Sequence, residues 1–198
     1  AKRMNTKVAA QTYTVRDFMQ TPADMDISLG RIKAAGYDAV QLSGSGPLES
    51  GAMRNLLDKH ELAAAATHIG FDRIRDDTGR VIEDHRVLGC RYVGLGSMPD
   101  AFRDSADGYR EFARAIEPAA RRIAGAGLTF IYHNHNFEFR KFGGKTGLQI
   151  LMESTDPDWF QFEIDTYWVQ FGGGDPADWI LRMAGRMDVV HFKDMATS

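Results

Sequence analysis

One punctuation mark, used three times, narrows the fold more than any other feature of the chain. An Ala/Leu-rich segment ends in glycine, and an apolar run follows within a residue or two: KAAG-YDAVQLS (33–43), VLG-CRYVGLG (87–96) and AGAG-LTFIYH (124–133). Glycine after a helix takes the left-handed conformation that ends it. A buried strand that starts at once is the helix-to-strand connection of a repeating βα fold. Strands are predicted at 7–13, 37–43, 62–69, 91–96, 128–135, 159–165 and 187–192, with helices between them. Thr21-Pro22 offers an N-cap and a first-turn proline for a helix to about Ala35. Met53, Leu56 and Leu57 share helical spacing within 49–60, and 80–88 reads as a short helix. The clearest helix, 106–125, carries Tyr109, Phe112, Ile116, Ala120 and Ile123 on one stripe, and Pro118 predicts a kink in it. Asp175-Pro176 opens a last helix to about Arg186.

Strand-helix alternation implies parallel strands with right-handed crossovers. The predicted fold class is α/β, of the (β/α)8 TIM-barrel type, as one domain over residues 1–198. A complete barrel of this kind takes about 250 residues. The sequence therefore reads as a barrel truncated after strand 7, without the seventh helix, eighth strand and eighth helix. Its first and seventh strands would carry open edges, which favours association into a homo-oligomer. An open doubly wound sheet is the alternative, disfavoured because no glycine-rich dinucleotide loop follows the first strand.

Charge excludes some functions. The formal charge is −3, with acids and bases mixed along the chain and no basic stripe, so nucleic acid is not an expected partner. No apolar run approaches the ~18–20 residues that span a bilayer, and the start AKRMNTKVAA lacks the apolar stretch of a secretory signal. Residues ahead of Lys7 read as a ragged start. Cys90 is the single cysteine; it excludes an internal disulfide and reads as a small buried apolar residue. A cytoplasmic location is the expectation.

Strand parity then sorts the chemistry. Alternate strand residues face opposite sides. The parity that points His191 inward also points Val189 and Lys193 inward, and Val190 and Phe192 toward the helices. The sixth strand turns Gln161, Glu163 and Asp165 inward. The fifth turns Ile131, His133 and His135 inward, the second Gln41, the third His68, and the first Gln11 and Tyr13. Polar inward residues collect near the C-terminal strand ends, where a barrel carries its active site. Three runs carry most of them: IYHNHNFEF (131–139), FEIDTYW (162–168) and VVHFKD (189–194).

A carboxylate at the end of an apolar strand must be paired, hydrogen-bonded or metal-bound, so Asp165 is a candidate metal ligand, or else the cap of a following turn. His191 is a ligand candidate or a core histidine bonded to a carbonyl. Lys193 offsets charge on a substrate oxygen, or pairs with Asp194 or Glu163. His68 and Gln41 are candidates for substrate contact, Gln11 lies on the inward face of the first strand, and Trp168 is an apolar wall for a sugar ring or plain packing. Gly172-Gly173-Gly174 precedes a helix start, which permits a phosphate site; a mobile loop is the plainer reading. His60 and His85 fall on helical segments and are expected to face solvent. Mixed His/Asp ligands suit Mn²⁺, Co²⁺, Zn²⁺ or Mg²⁺, with nitrogen ligands shifting preference away from Mg²⁺.

The constellation resembles the xylose isomerase-like sugar isomerase/epimerase family, in particular the branch whose fifth strand reads YHNH-x-x-EF. The resemblance covers nearly the whole chain. It implies a divalent ion, Mn²⁺ first, held by His133, Asp165 and His191. Relatives with a glutamate ligand on the fifth strand place it at about His133, so either His133 takes that role or Glu138 reaches back from the loop. The family's fourth ligand, a glutamate on the eighth strand, has no counterpart before Ser198. The resemblance further implies a sugar or sugar phosphate as substrate and an enediolate intermediate, with His135 or Glu163 as base and Lys193 beside the developing charge. Gln11, Gln41, His68, Glu138 and Trp168 would contact substrate. The fifth strand is also similar to that of inosose dehydratase, which opens a second reading: a lyase or dehydratase of keto-sugars, keto-glycosides or keto-inositols. A non-catalytic sugar-binding or vestigial fragment is a third. The nuclease relatives are disfavoured by the negative charge.

Overall fold

The computed structural model describes residues 8–196; the ragged start and Lys7 of the first predicted strand lie outside them. The elements run β1 (Ala10–Gln11), α1 (Pro22–Ala34), β2 (Ala39–Leu42), α2 (Ser50–Lys59), β3 (Ala63–Ile69), α3 (Phe71–Asp76), α4 (Thr78–Leu88) and β4 (Tyr92–Leu95). They continue with α5 (Ala106–Gly125), β5 (Thr129–His133), a small hairpin of β6 (Lys141–Phe142) and β7 (Lys145–Thr146), α6 (Gly147–Glu153), β8 (Gln161–Asp165), α7 (Thr166–Phe171), α8 (Pro176–Arg182) and β9 (Val189–His191). Each predicted strand region thus carries a strand, and the α/β repeat of a TIM-barrel-type chain is present. The chain divides into two compact units, one up to His68 with Gly79–Val93, the other Ile69–Thr78 with everything from Gly94 on.

In the first unit β1, β2 and β3 pair in parallel and in chain order. Met25 and Leu29 of α1, Met53 and Leu57 of α2, and Val40 and Leu42 of β2 close one core, with Leu62, Ala64, Leu88 and Cys90. Thr21 caps α1 as its sequence predicts, its side chain accepting from Asp24 N–H. Cys90 is buried, and burial pushes its thiol up to about 11.

The first strand departs from expectation. It ends at Gln11, and Thr12–Phe18 forms a 3₁₀ helix. Thr12 Oγ1 donates to the carbonyls of Gln41 (3.1 Å) and Ser43 (2.8 Å), which turns the chain out of the extended path. Period-two alternation therefore fails at Tyr13, which is 52% exposed while Thr12 is fully buried. His85 is a second correction. It is buried, with Nδ1 2.7 Å from the Val81 carbonyl and Nε2 2.7 Å from Thr67 Oγ1. His60 faces Asp26, Nε2 to Oδ1 2.6 Å, and so is not a plain solvent residue.

In the second unit β5, β8 and β9 pair in parallel, with His133 opposite Glu163 and Asp165 opposite His191. α5 runs through Pro118 as one 20-residue helix and buries Tyr109, Phe112, Ile116, Ala120 and Ile123, the stripe its sequence displays. Phe112 meets Phe71, Phe102 and Tyr132 at ring distances of 5.6–5.8 Å. Asp175 caps α8, its Oδ1 accepting from the Ala177 and Asp178 N–H groups. Helices α3, α6 and α7 and the β6–β7 hairpin had no counterpart in the sequence reading.

Candidate functional site

Parallel register sets the site. Pairing of Asp165 with His191 and of His133 with Glu163 puts four polar side chains at the C-terminal ends of three neighbouring strands. Nitrogen or oxygen atoms of His133, Asp165 and His191 all lie within 4.8 Å of one another. Asp165 Oδ2 is the focus: His133 Nε2 stands 3.2 Å from it and His191 Nδ1 3.4 Å. The other carboxylate oxygen, Oδ1, accepts from the Trp168 N–H (3.2 Å) and caps α7. Asp165 therefore acts as a helix cap and still offers an oxygen to the site.

Each histidine is oriented from behind. His133 Nδ1 lies 3.0 Å from the Gly96 carbonyl, and His191 Nε2 lies 3.2 Å from Glu163 Oε1. Both rings thus face oxygen at both nitrogens. A neutral imidazole donates from one nitrogen only, so the other nitrogen of each ring keeps a lone pair that a cation can take. A carbonyl or carboxylate behind a histidine is the arrangement that fixes the ring of a metal ligand. The electrostatics agree. Burial pushes the Asp165 carboxyl up, but the hydrogen bonds from His133 and His191 outweigh it and hold the group well below the usual carboxylate range. Burial also pulls His191 down, and its bonds to Asp165 and Glu163 outweigh that, lifting it to about 9. The donor set, two imidazoles and a carboxylate with supporting acceptors, fits a divalent ion.

The remaining candidates fall in several places. Glu163 is fully buried behind His191, so its position suits orienting that ring rather than meeting a substrate. His135 lies past the end of β5. Its ring stacks on Phe137 (5.7 Å, 10° between planes) and stands 5.1 Å from Trp168 and 4.9 Å from His133. Glu138 is turned into the interior. It is fully buried, accepting from Tyr132 Oη at 2.6 Å and the His135 N–H at 2.9 Å. Burial pushes its carboxyl up to about 7 against those bonds. The expected substrate contact of Glu138 is corrected to a brace for the loop that carries His135, because the 3₁₀ turn at Phe137–Phe139 folds its side chain inward.

Lys193 also departs from the inward parity, since β9 ends at His191. It is exposed, with Nζ 4.4 Å from the Tyr167 ring centre and 5.0 Å from that of Trp168. Gln41 and His68 are joined in the first unit, side-chain nitrogens 2.8 Å apart, with Ser43 Oγ 3.1 Å from His68 Nδ1. Gln11 turns its amide oxygen to the Tyr13 N–H (3.2 Å), where it caps the 3₁₀ helix.

The glycine run is neither a phosphate cradle nor a loose loop. The N–H groups of Gly172, Gly173 and Gly174 all donate to carbonyls of α7, at Trp168, Gln170 and Val169. A Cβ at Gly172 or Gly174 would come within 2.6–2.7 Å of the Phe139 ring. The residue that sequence reasoning missed is Asn134, fully buried between the two histidines. Its Oδ1 accepts from the Asp165 N–H at 2.9 Å, and its Nδ2 donates to the His135 carbonyl at 3.2 Å. A polar residue on the outward parity of an apolar strand was the signal available.

Among known proteins, a family model described as Xylose isomerase-like TIM barrel matches residues 29–198. An inosose dehydratase of Lacticaseibacillus casei is 24% identical over 85% of this chain and 62% of its own length. The rhizopine catabolism protein MocC of Rhizobium meliloti is 25% identical over 97% of the chain and 65% of its own length. The chain thus spans less than two thirds of the length of these curated relatives. A sugar phosphate isomerase/epimerase structure from Parabacteroides distasonis superposes with a TM-score of 0.83, covering 98% of this chain and 78% of that one at 22% identity. With a family match over most of its length, the chain belongs to the xylose isomerase-like TIM barrel family.

Proposed function

We propose that this chain carries the ligand cluster of a divalent-metal-dependent enzyme that removes a proton beside the carbonyl of a keto-sugar or keto-inositol. The observation that carries the reading is the convergence of His133, Asp165 and His191 on one point, each histidine backed by an oxygen acceptor. These three residues would hold the ion. Mn²⁺ is the first candidate, with Co²⁺, Zn²⁺ and Mg²⁺ as alternatives. A bound ion there would supply Lewis acidity toward a carbonyl oxygen. Glu163 keeps the His191 ring turned to Asp165. His135, partly exposed between Phe137 and Trp168, is the base for the adjacent C–H, and the proton's departure leaves an enediolate. Trp168 offers an apolar wall to the sugar ring. Lys193, on the rim over Tyr167 and Trp168, offsets negative charge.

Return of the proton makes the reaction an isomerisation or epimerisation, the activity named for the Parabacteroides protein. Expulsion of a β-hydroxyl makes it a dehydration, and the similarity to an inosose dehydratase favours that second reading. The test is proton exchange in D₂O with Mn²⁺ across keto-sugars and keto-inositols. Deuterium should enter beside the carbonyl with the parent protein and not with His191→Ala. Unchanged exchange in that variant sinks the proposal. A product lighter by one water separates dehydration from isomerisation.

A further inference from the structure

The β5–β8 ladder pairs His133 with Glu163 and goes no further. Asp165 lies two residues beyond that last pair, and its N–H is buried. A buried amide N–H needs an acceptor. Asn134 supplies it: past the end of β5, its side-chain Oδ1 takes the Asp165 N–H at 2.9 Å. The same amide group donates from Nδ2 to the His135 carbonyl at 3.2 Å. Asn134 is fully buried, so it meets no substrate and reaches no solvent.

One side chain is thus bonded to the backbone of two residues 30 positions apart. One is Asp165, whose Oδ2 is the point on which His133 and His191 converge. The other is His135, whose ring lies between Phe137 and Trp168. Asp165 has a second duty that makes its backbone setting matter, since Oδ1 is committed to the Trp168 N–H. With Oδ1 held at the helix start, the direction of Oδ2 follows from where the Asp165 backbone sits. A rotation there would carry Oδ2 away from both imidazoles.

We propose that Asn134 is a positioning residue of the metal centre: it fixes the backbone of Asp165 so that Oδ2 faces His133 and His191, and ties that ligand to the segment bearing His135. This rests on the reading of His133, Asp165 and His191 as metal ligands. Residues that orient metal ligands typically change metal affinity about 10- to 100-fold when removed.

The test is Mn²⁺ titration calorimetry on the full chain, with Asn134→Ala, Asn136→Ala and Asp165→Ala, each measured well below its unfolding temperature. Asn134→Ala should bind Mn²⁺ about 10- to 100-fold more weakly. Asn136→Ala, in the same loop, should bind as the parent does. A purely structural role would lower the melting temperature of Asn134→Ala and leave the affinity of the folded protein unchanged, and that result overturns the proposal. If Asp165→Ala abolishes binding while Asn134→Ala binds like the parent, the metal reading stands and this one falls. If the parent binds no Mn²⁺, both fall.

Discussion

Asp165 Oδ2 faces two imidazole nitrogens, and something positive must sit between these groups. In the metal-free protein His191 supplies a proton there. His191 is lifted to about 9 because its bonds to Asp165 and Glu163 outweigh the cost of burying its charge, so near neutral pH the ring is protonated. A metal ligand must be the neutral ring. Mn²⁺ binding should therefore expel about one proton from His191 at pH 7, and affinity should rise about tenfold per pH unit as pH climbs toward 9. The same sign governs stability. The raised pKa means that the protonated ring stabilises the metal-free fold fully below about 6.5, with that contribution lost as pH rises through 9. Calorimetry in buffers of different ionisation enthalpy counts the protons released. A count near zero, with affinity flat between pH 6 and 8, would place the ion elsewhere.

Short elements carry much of the site, and they explain where the sequence was silent. α7 has six residues and α3 six, too few turns for an apolar period to show. What starts α7 is the side chain of Asp165, so one residue had to be read both as a cap and as a ligand. α6 was readable in principle, because Thr146 and Gln149 form a reciprocal capping box at its start. The long elements were legible for the opposite reason: α5 displays its buried stripe over 20 residues. The histidines and Asp165 were legible because a polar residue ending an apolar strand is rare enough to stand out. Glu138 was expected to reach back from the loop; its turn into the interior depends on the short 3₁₀ helix at Phe137–Phe139 and on Tyr132, which no sequence period displays. Gly172 gives an element-scale prediction. Its missing Cβ is what lets the end of α7 lie against Phe139, with ring and Cβ atoms at 2.6–2.8 Å from the position a side chain would take. Gly172→Ala should cost about 1–3 kcal/mol by overpacking. Gly125→Ala, at the open end of α5 with nothing within 4 Å, should be neutral or gain up to about 1 kcal/mol. Chemical denaturation of both variants checks the contrast, and equal midpoints would show that Phe139 yields freely.

Over the whole molecule, the proposed ligands His133, Asp165 and His191 all belong to one of the two compact units, and so do all three tryptophans, Trp159, Trp168 and Trp179. Tryptophan fluorescence therefore follows the unit that would hold the ion, while far-ultraviolet circular dichroism follows the helices of both. A ligand that binds only the folded state stabilises by mass action, by about 2.7 kcal/mol at a hundred times its dissociation constant. For a domain of roughly this size each kcal/mol moves the midpoint by about 2–4 °C. Saturating Mn²⁺ should then raise the fluorescence-detected melting temperature by about 5–10 °C, chelation should reverse it, and Asp165→Ala should show no shift. Comparing the two signals says how far the stabilisation spreads. Coincident transitions that move together would mean that the units melt as one cooperative body, so that an ion held by three strand ends steadies the whole chain. Separate transitions, with only the fluorescence-detected one moving, would mean that the ion stabilises its own unit alone. No shift in the fluorescence transition at any Mn²⁺ concentration would remove the metal from the proposed function.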